Sequence, residues 1–307
     1  MNNEILVAEN VTKIYGIDTK NPVTALSDVS LTMYESDFIC VMGPSGSGKS
    51  TFIRRFMEKA VLPNMTDEFE KKRATDELPL IGAGKMITTT EPKFVPSRPA
   101  EIKAGDNLKF KMRLIDCVGY IIDGAEGILD EDEPRMVSTP WSDKPMPLAA
   151  AALTGTNKVI NDHSTIAIAM TTDGTITDIP RENYVEAEED IVNTLKKSGK
   201  PFVMVLNSAT PYSPETDSLR AELEQKYEVP VKTADCARLK DEDINELLES
   251  LLYEFPVNEI NINIPRWLEG LENGHWLKSS VINTLLSLTE KTARLREIAD
   301  CVSELEE

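Results

Sequence analysis

The chain is poor in cysteine and histidine, the residues that most often build disulfide frameworks and metal centres. It has 4 cysteines and 2 histidines in 307 residues, and the cysteines form no CxxC pair and have no neighbouring histidine. This spacing favours neither a disulfide-stapled secreted domain nor a structural zinc site. We therefore expect buried free thiols in a reducing compartment at Cys40, Cys117, Cys236 and Cys301.

Positive charge is also scarce. The chain carries 33 Lys and Arg against 52 Asp and Glu, which gives a formal net charge of −19. A surface of this sign repels nucleic-acid phosphates and anionic lipid headgroups, and no basic cluster interrupts it. The sequence therefore predicts no nucleic-acid partner.

Long hydrophobic runs are missing as well. Residues 1–10 hold no basic leader followed by an apolar segment, and no run of about 18 apolar residues occurs anywhere. This pattern predicts a cytoplasmic protein. With 41% hydrophobic and 28% charged residues, the composition is that of a globular chain and excludes disorder or collagen-like repeats. The length suits one large or two small domains.

Strand-like and helix-like segments alternate along most of the chain. Such alternation predicts an α/β fold with a mostly parallel sheet flanked by helices. Two regions depart from it: residues 124–147 are interpreted as a long acidic, proline-rich insertion, and residues 281–305 carry heptad-like apolar spacing. That spacing predicts a terminal helix packed on its own domain or against a partner. The main candidate strands are 38–42, 109–115, 165–170, 202–206 and 229–233, and the candidate helices are 49–60, 181–197, 214–226 and 241–253.

The strongest signal is a phosphate-binding loop. Gly43-Pro-Ser-Gly-Ser-Gly-Lys-Ser50 satisfies GxxxxGK(S/T) between an apolar strand and an apolar-faced helix. Glycines let successive N–H groups turn toward phosphates, and the helix N-terminus adds its positive end. Lys49 is predicted to reach the β- and γ-phosphates, and the Ser50 hydroxyl to hold Mg²⁺. The predicted nucleotide-binding residues of the loop are Gly43, Ser45, Gly46, Ser47, Gly48, Lys49, Ser50 and Thr51.

A P-loop needs a second acid near the metal, and Asp116 is the candidate. It ends a predicted strand and opens Asp116-Cys-Val-Gly119, the DxxG spacing of nucleotide switches. In such switches the Asp reaches the magnesium shell and the Gly backbone N–H contacts the γ-phosphate. Between the two motifs, residues 88–90 are Thr-Thr-Thr in a segment rich in Gly, Pro and Lys, typical of a loop that orders on binding. One of these hydroxyls is a candidate to complete the Mg²⁺ shell.

The base-reading position points away from guanine. Guanine-specific switches end a late strand in NKxD, whose Asp accepts two hydrogen bonds from the guanine edge. Here the corresponding residues are Asn207-Ser-Ala-Thr210, so Asn207 is kept as a nucleotide-binding residue and Thr210 replaces the carboxylate. A binding site distinguishes guanine from other bases chiefly through buried groups that hydrogen-bond the polar edge of the base. We expect ATP, or little base preference.

Three stretches of the N-terminal part form a pattern together, at residues 11–16 (VTKIYG), 25–30 (ALSDVS) and 43–51. With these stretches, residues 1–51 resemble the start of an ATP-binding cassette ATPase. In that family an aromatic residue at the position of Tyr15 stacks on adenine, although a core aromatic is an equal interpretation here. The family's LSGGQ-like signature, Gln loop, Asp-Glu after an apolar run and switch histidine are missing from the sequence. A fragment of a cassette transporter ATPase is therefore kept only as an alternative.

A string of separate motifs runs from about Lys49 to the end of the chain, and such a string is far more specific than a P-loop alone. The motifs are GKSTFIRRFMEKAVLPN (48–64), DELP (76–79), TTEPKFVP (89–96), DCVGY (116–120), PRM (134–136), TPW (139–141), HSTI (163–166), TTDGTI (171–176), GKPF (199–202), YEFPV (253–257) and HWL (275–277). In these motifs the chain resembles the stage IV sporulation protein A family, morphogenetic ATPases of endospore-forming bacteria.

This resemblance implies a P-loop fold of the translation-factor-related GTPase class whose members bind and hydrolyse ATP with Mg²⁺. It implies that hydrolysis drives self-association into a shell on the forespore surface, in the mother-cell cytoplasm, as the basement layer for spore coat proteins. It also implies site roles: Lys49 and Ser50 in the P-loop, Thr89 and Thr90 as nucleotide-sensing threonines, and Asp116 on the magnesium side. The implied catalytic set is Lys49, Thr89, Thr90 and Asp116, and the metal set is Ser50, Thr90 and Asp116.

The two resemblances divide the chain into three parts. We expect cassette-like N-terminal strands and the P-loop at 1–51, a P-loop ATPase domain at 43–256, and at 257–307 a C-terminal extension that begins a truncated middle domain. Family members have a different, shorter segment before the P-loop and continue into a C-terminal domain that docks on the coat surface, so this docking domain is expected to be missing. A nonenzymatic assembly module is the remaining alternative, if the N-terminal strands misplace the P-loop.

Overall fold

The computed structural model describes residues 4–15, 23–34, 38–80, 92–104, 108–130, 133–139, 142–257, 260, 266–272 and 274–298, with the backbone alone at 4–15, 23–34, 38, 101–104, 108–111, 129, 143, 266, 269, 288, 290 and 291. The strands are β1 (Glu4–Tyr15), β2 (Val23–Tyr34), β3 (Phe38–Met42), β4 (Lys93–Ala104), β5 (Leu108–Asp116), β6 (Leu129–Asp130), β7 (Glu133–Pro134), β8 (Met136–Thr139), β9 (Ser142–Pro147), β10 (Ile166–Thr172), β11 (Phe202–Asn207) and β12 (Val231–Ala234). The helices are α1 (Lys49–Phe56), α2 (Glu68–Asp76), α3 (Leu148–Lys158), α4 (Glu182–Ser198), α5 (Pro214–Tyr227), α6 (Asp241–Tyr253), α7 (Arg266–Glu269) and α8 (Trp276–Lys291).

A six-stranded sheet forms the centre of the fold, in the order β12-β11-β10-β3-β5-β4. All neighbours are parallel except β4 and β5, which are antiparallel. Every residue of β10 and β11 is buried, as expected for parallel strands covered on both faces. The predicted α/β fold with a mostly parallel sheet is therefore confirmed.

Helices cover the sheet with their apolar faces. Phe52, Ile53 and Phe56 of α1 are fully buried, and α1 contacts β3 and β5. Ile191 and Leu195 of α4 join the main core cluster with residues of β3, β10 and β11. Each fully buried side chain of this size contributes about 1.5–3 kcal/mol by leaving water. This packing fixes the end of β3, where the P-loop begins.

The region predicted as an unstructured acidic insertion contains short strands. β6 pairs with β7, and β8 pairs with β9, each as an antiparallel hairpin. The prediction of no regular element between 124 and 147 was wrong there. Two prolines lie at the ends of these ladders, Pro134 opposite Leu129 and Pro147 opposite Met136, where a missing N–H costs little.

The predicted terminal helix is shorter than the heptad spacing indicated. α8 ends at Lys291, and Thr292 has an extended conformation at φ −96° and ψ 93°. After it, the Val257 N–H donates to Ala293 O at 3.0 Å and the Leu295 N–H donates to Phe255 O at 3.0 Å. The prediction of one continuous helix over 281–305 was wrong at residues 292–295, because pairing with residues 255–257 replaces helical hydrogen bonds there. Residues 296–298 are helical again, and 299–305, with the predicted apolar positions Ala299 and Val302, lie outside the described residues.

The chain divides into two units. One holds the six-stranded sheet within residues 31–251, and the other includes α7 and α8 within residues 252–307. β1 and β2 pair with each other as a two-stranded sheet. Within the described ranges, no helix is both long enough and apolar enough to span a bilayer.

Candidate functional site

The P-loop connects the carboxyl end of β3 to the first turn of α1. Gly48 precedes α1 with φ +90°, a left-handed conformation that residues with a Cβ rarely adopt. A Cβ at Gly48 would also lie 2.2 Å from Asn207 Nδ2. Both observations require glycine at this position of the GxxxxGK motif.

Asn207 joins the P-loop to the ends of two further strands. Its side chain is buried, and its Nδ2 donates to Ser47 O at 3.1 Å. Its Oδ1 accepts from the Cys236 N–H at 3.0 Å, just after β12. The predicted nucleotide-binding residue Asn207 is thus a bridge between loops. The contact with Cys236 could not be predicted from its residue type, because its backbone N–H makes it.

Lys49 lies over the loop. Its side chain is buried, and Nζ donates to Gly43 O at 3.0 Å and to Pro44 O at 2.9 Å. Burial lowers the pKa of Lys49 from 10.5 to about 8, against the opposing effect of the Asp116 carboxylate. A buried cation beside a cradle of backbone N–H groups is suited to phosphate oxygens.

The Ser50 side chain, in the first turn of α1, contacts the Asp116 side chain at the end of β5. The Ser50 hydroxyl donates to Asp116 Oδ2 at 3.2 Å, and Asp116 is buried. β3 and β5 are parallel neighbours, and Val41 is the register partner of Asp116, which brings the end of β5 to the P-loop. A hydroxyl and a carboxylate are hard oxygen ligands of the kind Mg²⁺ takes together with phosphates and water. Across the described part of the chain, no group of three or more His, Cys, Asp or Glu offers an all-protein metal cage. The residues therefore fit a nucleotide-bound Mg²⁺.

Gly119 brings its backbone directly against the P-loop. A Cβ on Gly119 would lie 2.6 Å from Lys49 Nζ and 3.0 Å from both Ser45 N and Ser45 Oγ. On either side of this approach, the Tyr120 N–H donates to Gly43 O at 3.2 Å and the Ser45 N–H donates to Tyr120 O at 2.7 Å. The structure therefore places the DCVG segment beside Lys49, and the predicted contact of the Gly119 N–H with a γ-phosphate stays a prediction.

The remaining predicted site residues lie partly inside and partly outside the described structure. Ser47 is fully buried, and among the described atoms its Oγ has no hydrogen-bond partner, so it is suited to a ligand oxygen. Thr51 lies in the first turn of α1, and Gly46 has φ +81° in the loop. Thr89 and Thr90 lie outside the described residues, so their predicted roles stay predictions. The backbone of Tyr15 ends β1, and its stacking on adenine also stays a prediction.

Two buried thiols lie close to each other near the P-loop. Cys40 Sγ in β3 and Cys117 Sγ, directly after β5, are 3.2 Å apart. The hydrogen bond with Cys40, together with burial, raises the pKa of Cys117 well above its usual value. Both cysteines are buried free thiols, as the composition predicted.

Asp173 and Thr175 belong to the motif TTDGTI (171–176), and no site role was predicted for them. Both lie in the turn after β10, and the Ala209 N–H donates to Thr175 Oγ1 at 2.9 Å. The turn therefore holds the loop that follows Asn207. An Asp-Gly pair directly after a buried strand was the available signal, since it predicts a turn at the edge of the sheet where the P-loop lies.

A P-loop on a central parallel strand, with an Asp from the neighbouring strand against its Ser and a Gly backbone against its Lys, defines a P-loop nucleoside triphosphatase. Comparison with known families agrees. The model described as "Stage IV sporulation protein A, ATPase domain" matches residues 24–256, and the one for the middle domain of the same protein matches residues 257–307. The chain belongs to the stage IV sporulation protein A family, and most of it is that family's ATPase domain.

Individual relatives give the same result. Stage IV sporulation protein A of Clostridioides difficile (strain 630) is 50% identical over 282 residues, which cover 91% of this chain and 57% of that protein. The Bacillus subtilis (strain 168) protein is 46% identical over 270 residues, covering 88% of this chain and 55% of the relative. The chain thus spans about half the length of these curated relatives. The resemblance inferred from the separate motifs is confirmed.

The likeness to cassette ATPases is real and short. The bicarbonate transport ATP-binding protein CmpD of Synechococcus elongatus (strain ATCC 33912 / PCC 7942 / FACHB-805) is 54% identical over 48 residues. Those residues cover 16% of this chain and 17% of that protein. A match of this extent includes only a small part of a cassette ATPase.

Proposed function

We propose that this chain binds and hydrolyses Mg²⁺-ATP and acts in endospore formation. The observation that carries the proposal is the Ser50 to Asp116 hydrogen bond of 3.2 Å beside the buried Lys49. It brings a hydroxyl, a carboxylate and a cation to one point at the start of α1. Ser50 and Asp116 would hold a nucleotide-bound Mg²⁺ there, and the metal would supply positive charge that stabilises transfer of the terminal phosphoryl group.

The residues of the chain would act by binding and orientation. Lys49 would exchange its two carbonyl acceptors, Gly43 O and Pro44 O, for phosphate oxygens, which are stronger acceptors for a cation. Ser50 and Asp116 would hold the metal side of the nucleotide. The Gly119 backbone, packed against Lys49 Nζ, would lie near the terminal phosphate and respond to its loss.

ATP is the proposed nucleotide rather than GTP. Thr210 is exposed in the loop after β11, at the position where guanine-specific switches carry an Asp. A hydroxyl has a single neutral oxygen where the carboxylate presents two charged ones to the two N–H donors of the guanine edge, so guanine loses its specific partner. This supports adenine, or weak preference between the two purines.

The biological role follows from family membership. We propose that turnover alters the segment containing Thr89 and Thr90 and thereby promotes self-association, because release of phosphate removes the contacts that hold such a segment. The assembled form would lie on the forespore surface in the mother-cell cytoplasm, as a base for spore coat proteins. The names of the relatives support a role in sporulation. The coat partners and the location on the forespore surface are proposed in addition to that role.

The two alternatives have less support. The CmpD likeness spans 16% of the chain, against 91% for the sporulation relative from Clostridioides difficile. A nonenzymatic module would require a misplaced P-loop, whereas Lys49, Ser50 and Asp116 converge in this structure. The geometry therefore supports an enzyme.

Phosphate release from the purified chain tests the proposal. Initial rates would be measured with Mg²⁺ and ATP or GTP for the unmodified chain, Lys49→Ala and the matched control Lys59→Ala, whose ammonium is half exposed and 4.0 Å from Asp241. We expect faster turnover with ATP, loss of turnover in Lys49→Ala and an unchanged rate in Lys59→Ala. Equal rates in all three proteins would refute the enzymatic claim.

Sedimentation with ATP, with ADP and without nucleotide tests the coupling of turnover to assembly. Sedimentation that does not depend on the nucleotide would refute that coupling.

A further inference from the structure

The turn after β10, residues 173–176, touches both the P-loop and the loop after β11. On one side, Ile176 Cδ1 lies 3.6 Å from the point where a Cβ on Gly48 would stand. On the other, the Ala209 N–H donates to Thr175 Oγ1 at 2.9 Å. This turn therefore lies beside the P-loop on one side and beside the loop 208–213, which carries Thr210, on the other.

A single carboxylate organises these contacts. Asp173 Oδ1 accepts from the Thr175 N–H at 3.0 Å and from the Thr175 hydroxyl at 2.6 Å. Because a hydroxyl has one proton, that proton is committed to Asp173, and a lone pair of Thr175 Oγ1 is left for Ala209. A carboxylate is a stronger acceptor than a neutral oxygen, so Asp173 fixes the direction in which Thr175 accepts.

The same carboxylate reaches the far end of the loop. Thr216 Oγ1, in the first turn of α5, lies 3.4 Å from Asp173 Oδ2 and 3.0 Å from Thr210 O. The Thr210 N–H donates to Ser208 Oγ at 3.0 Å. The single Thr216 proton has Thr210 O as its nearer acceptor, so Asp173 holds the loop 208–213 chiefly through Thr175, and Thr216 links the carboxylate only weakly to the far end of the loop.

The position of the loop identifies which part of a nucleotide it would meet. Asp116 and Gly119 mark the terminal phosphate end of the site, on the β5 side of the P-loop. Asn207 and Gly48 mark the opposite end, on the β11 side. A nucleotide extends across the carboxyl ends of parallel strands, so its base falls near the loops after β11 and β12.

We propose that Asp173 is a positioning residue that holds the loop 208–213 against the nucleotide base and thereby sets base affinity without contacting the phosphates. This inference rests on the proposed ATP binding. Removing the carboxylate releases the loop at the base end, while the phosphate contacts of Lys49, Ser50 and Asp116 remain. Asp173→Asn keeps an oxygen that can accept from Thr175 and should retain most of the effect.

Equilibrium binding of Mg²⁺-ATP, Mg²⁺-GTP and Mg²⁺-tripolyphosphate tests this inference, because tripolyphosphate has no base. The proteins are the unmodified chain, Asp173→Ala, Asp173→Asn, Thr175→Val and the control Asp190→Ala on the exposed side of α4. We expect Asp173→Ala and Thr175→Val to weaken ATP binding about tenfold, as for loss of a hydrogen bond to a charged group. Tripolyphosphate binding should stay within about twofold, and the preference for ATP over GTP should shrink. Asp173→Asn and Asp190→Ala should bind ATP nearly as the unmodified chain does.

Two results would overturn the inference alone. The first is ATP binding that does not change in Asp173→Ala, and the second is an equal loss of ATP and tripolyphosphate binding, which would indicate a general structural role. Absence of ATP binding by the unmodified chain would overturn the proposed function together with this inference. The three results are distinguishable in one set of titrations.

Discussion

Replacing Gly48 by Ala tests how the P-loop is held, and the structure allows its cost to be worked out. The left-handed conformation at φ +90° costs an Ala about 1–2 kcal/mol. The new Cβ would also lie 2.2 Å from Asn207 Nδ2, so the amide has to move. It would then give up hydrogen bonds to Ser47 and Cys236, about 1 kcal/mol each. The sum is a loss of about 3–4 kcal/mol in the free energy of unfolding.

A double-mutant cycle separates the two terms. In an Asn207→Ala background the amide is absent, so Gly48→Ala should cost only the backbone term of about 1–2 kcal/mol. Gly199→Ala is the matched control: Gly199 also has positive φ, at +68°, with nothing within 4 Å of its Cβ position, so it should show the backbone term alone. Urea titration followed by circular dichroism measures all four variants. An equal cost of Gly48→Ala in both backgrounds would refute the argument from the amide contact.

Three further predictions follow from buried groups. Because burial lowers the pKa of Lys49 to about 8, the affinity for ATP should fall above that pH, and Lys49→Arg, which stays charged, should remove the decline. ATP affinity would be measured in both proteins over about three pH units, and parallel pH profiles of the two would contradict this prediction. Glu188 is buried, and its carboxylate accepts from Arg181 and, at 2.9 Å, from the Tyr227 hydroxyl. Glu188→Ala should therefore lower the free energy of unfolding by about 3–5 kcal/mol, and Glu188→Gln should lower it by less. Equal urea midpoints for the two variants would contradict this prediction. Buried Cys40 and Cys117 should resist a thiol reagent until the protein unfolds, and labelling of either in the native protein, read by mass spectrometry, would contradict their placement.

Much of this site was predictable because its signals are local. The GxxxxGK(S/T) spacing and the apolar run 38–42 together indicate a strand, a loop and a helix, and β3 and α1 occupy those places. The DCVG segment follows the same logic, since a strand that ends in Asp beside a P-loop strand brings the carboxylate to Ser50. Each motif contains its own spacing and its own neighbouring element, so no long-range information was needed.

The parts that were missed depend on contacts between distant residues. β4 is an antiparallel edge strand containing Pro96 and Pro99, and its ladder with β5 shifts register between Val95 and Ala100. Prolines and a broken alternation hide such a strand from periodicity. The end of α8 depends on pairing with residues 255–257, and the role of Asp173 depends on a loop 36 residues away in sequence, at Ala209.

The most direct test of the central claim is the Mg²⁺ dependence of ATP hydrolysis in the unmodified chain and in Asp116→Asn. Ser50 and Asp116 are proposed to hold the nucleotide-bound metal, so removing one ligand charge should raise the half-saturating Mg²⁺ concentration by about tenfold or more and lower the maximal rate. Phosphate release at saturating ATP, titrated with Mg²⁺ from a metal-free start, measures both quantities. A rate that persists without Mg²⁺, or one with the same Mg²⁺ dependence in both proteins, would contradict the proposed metal site.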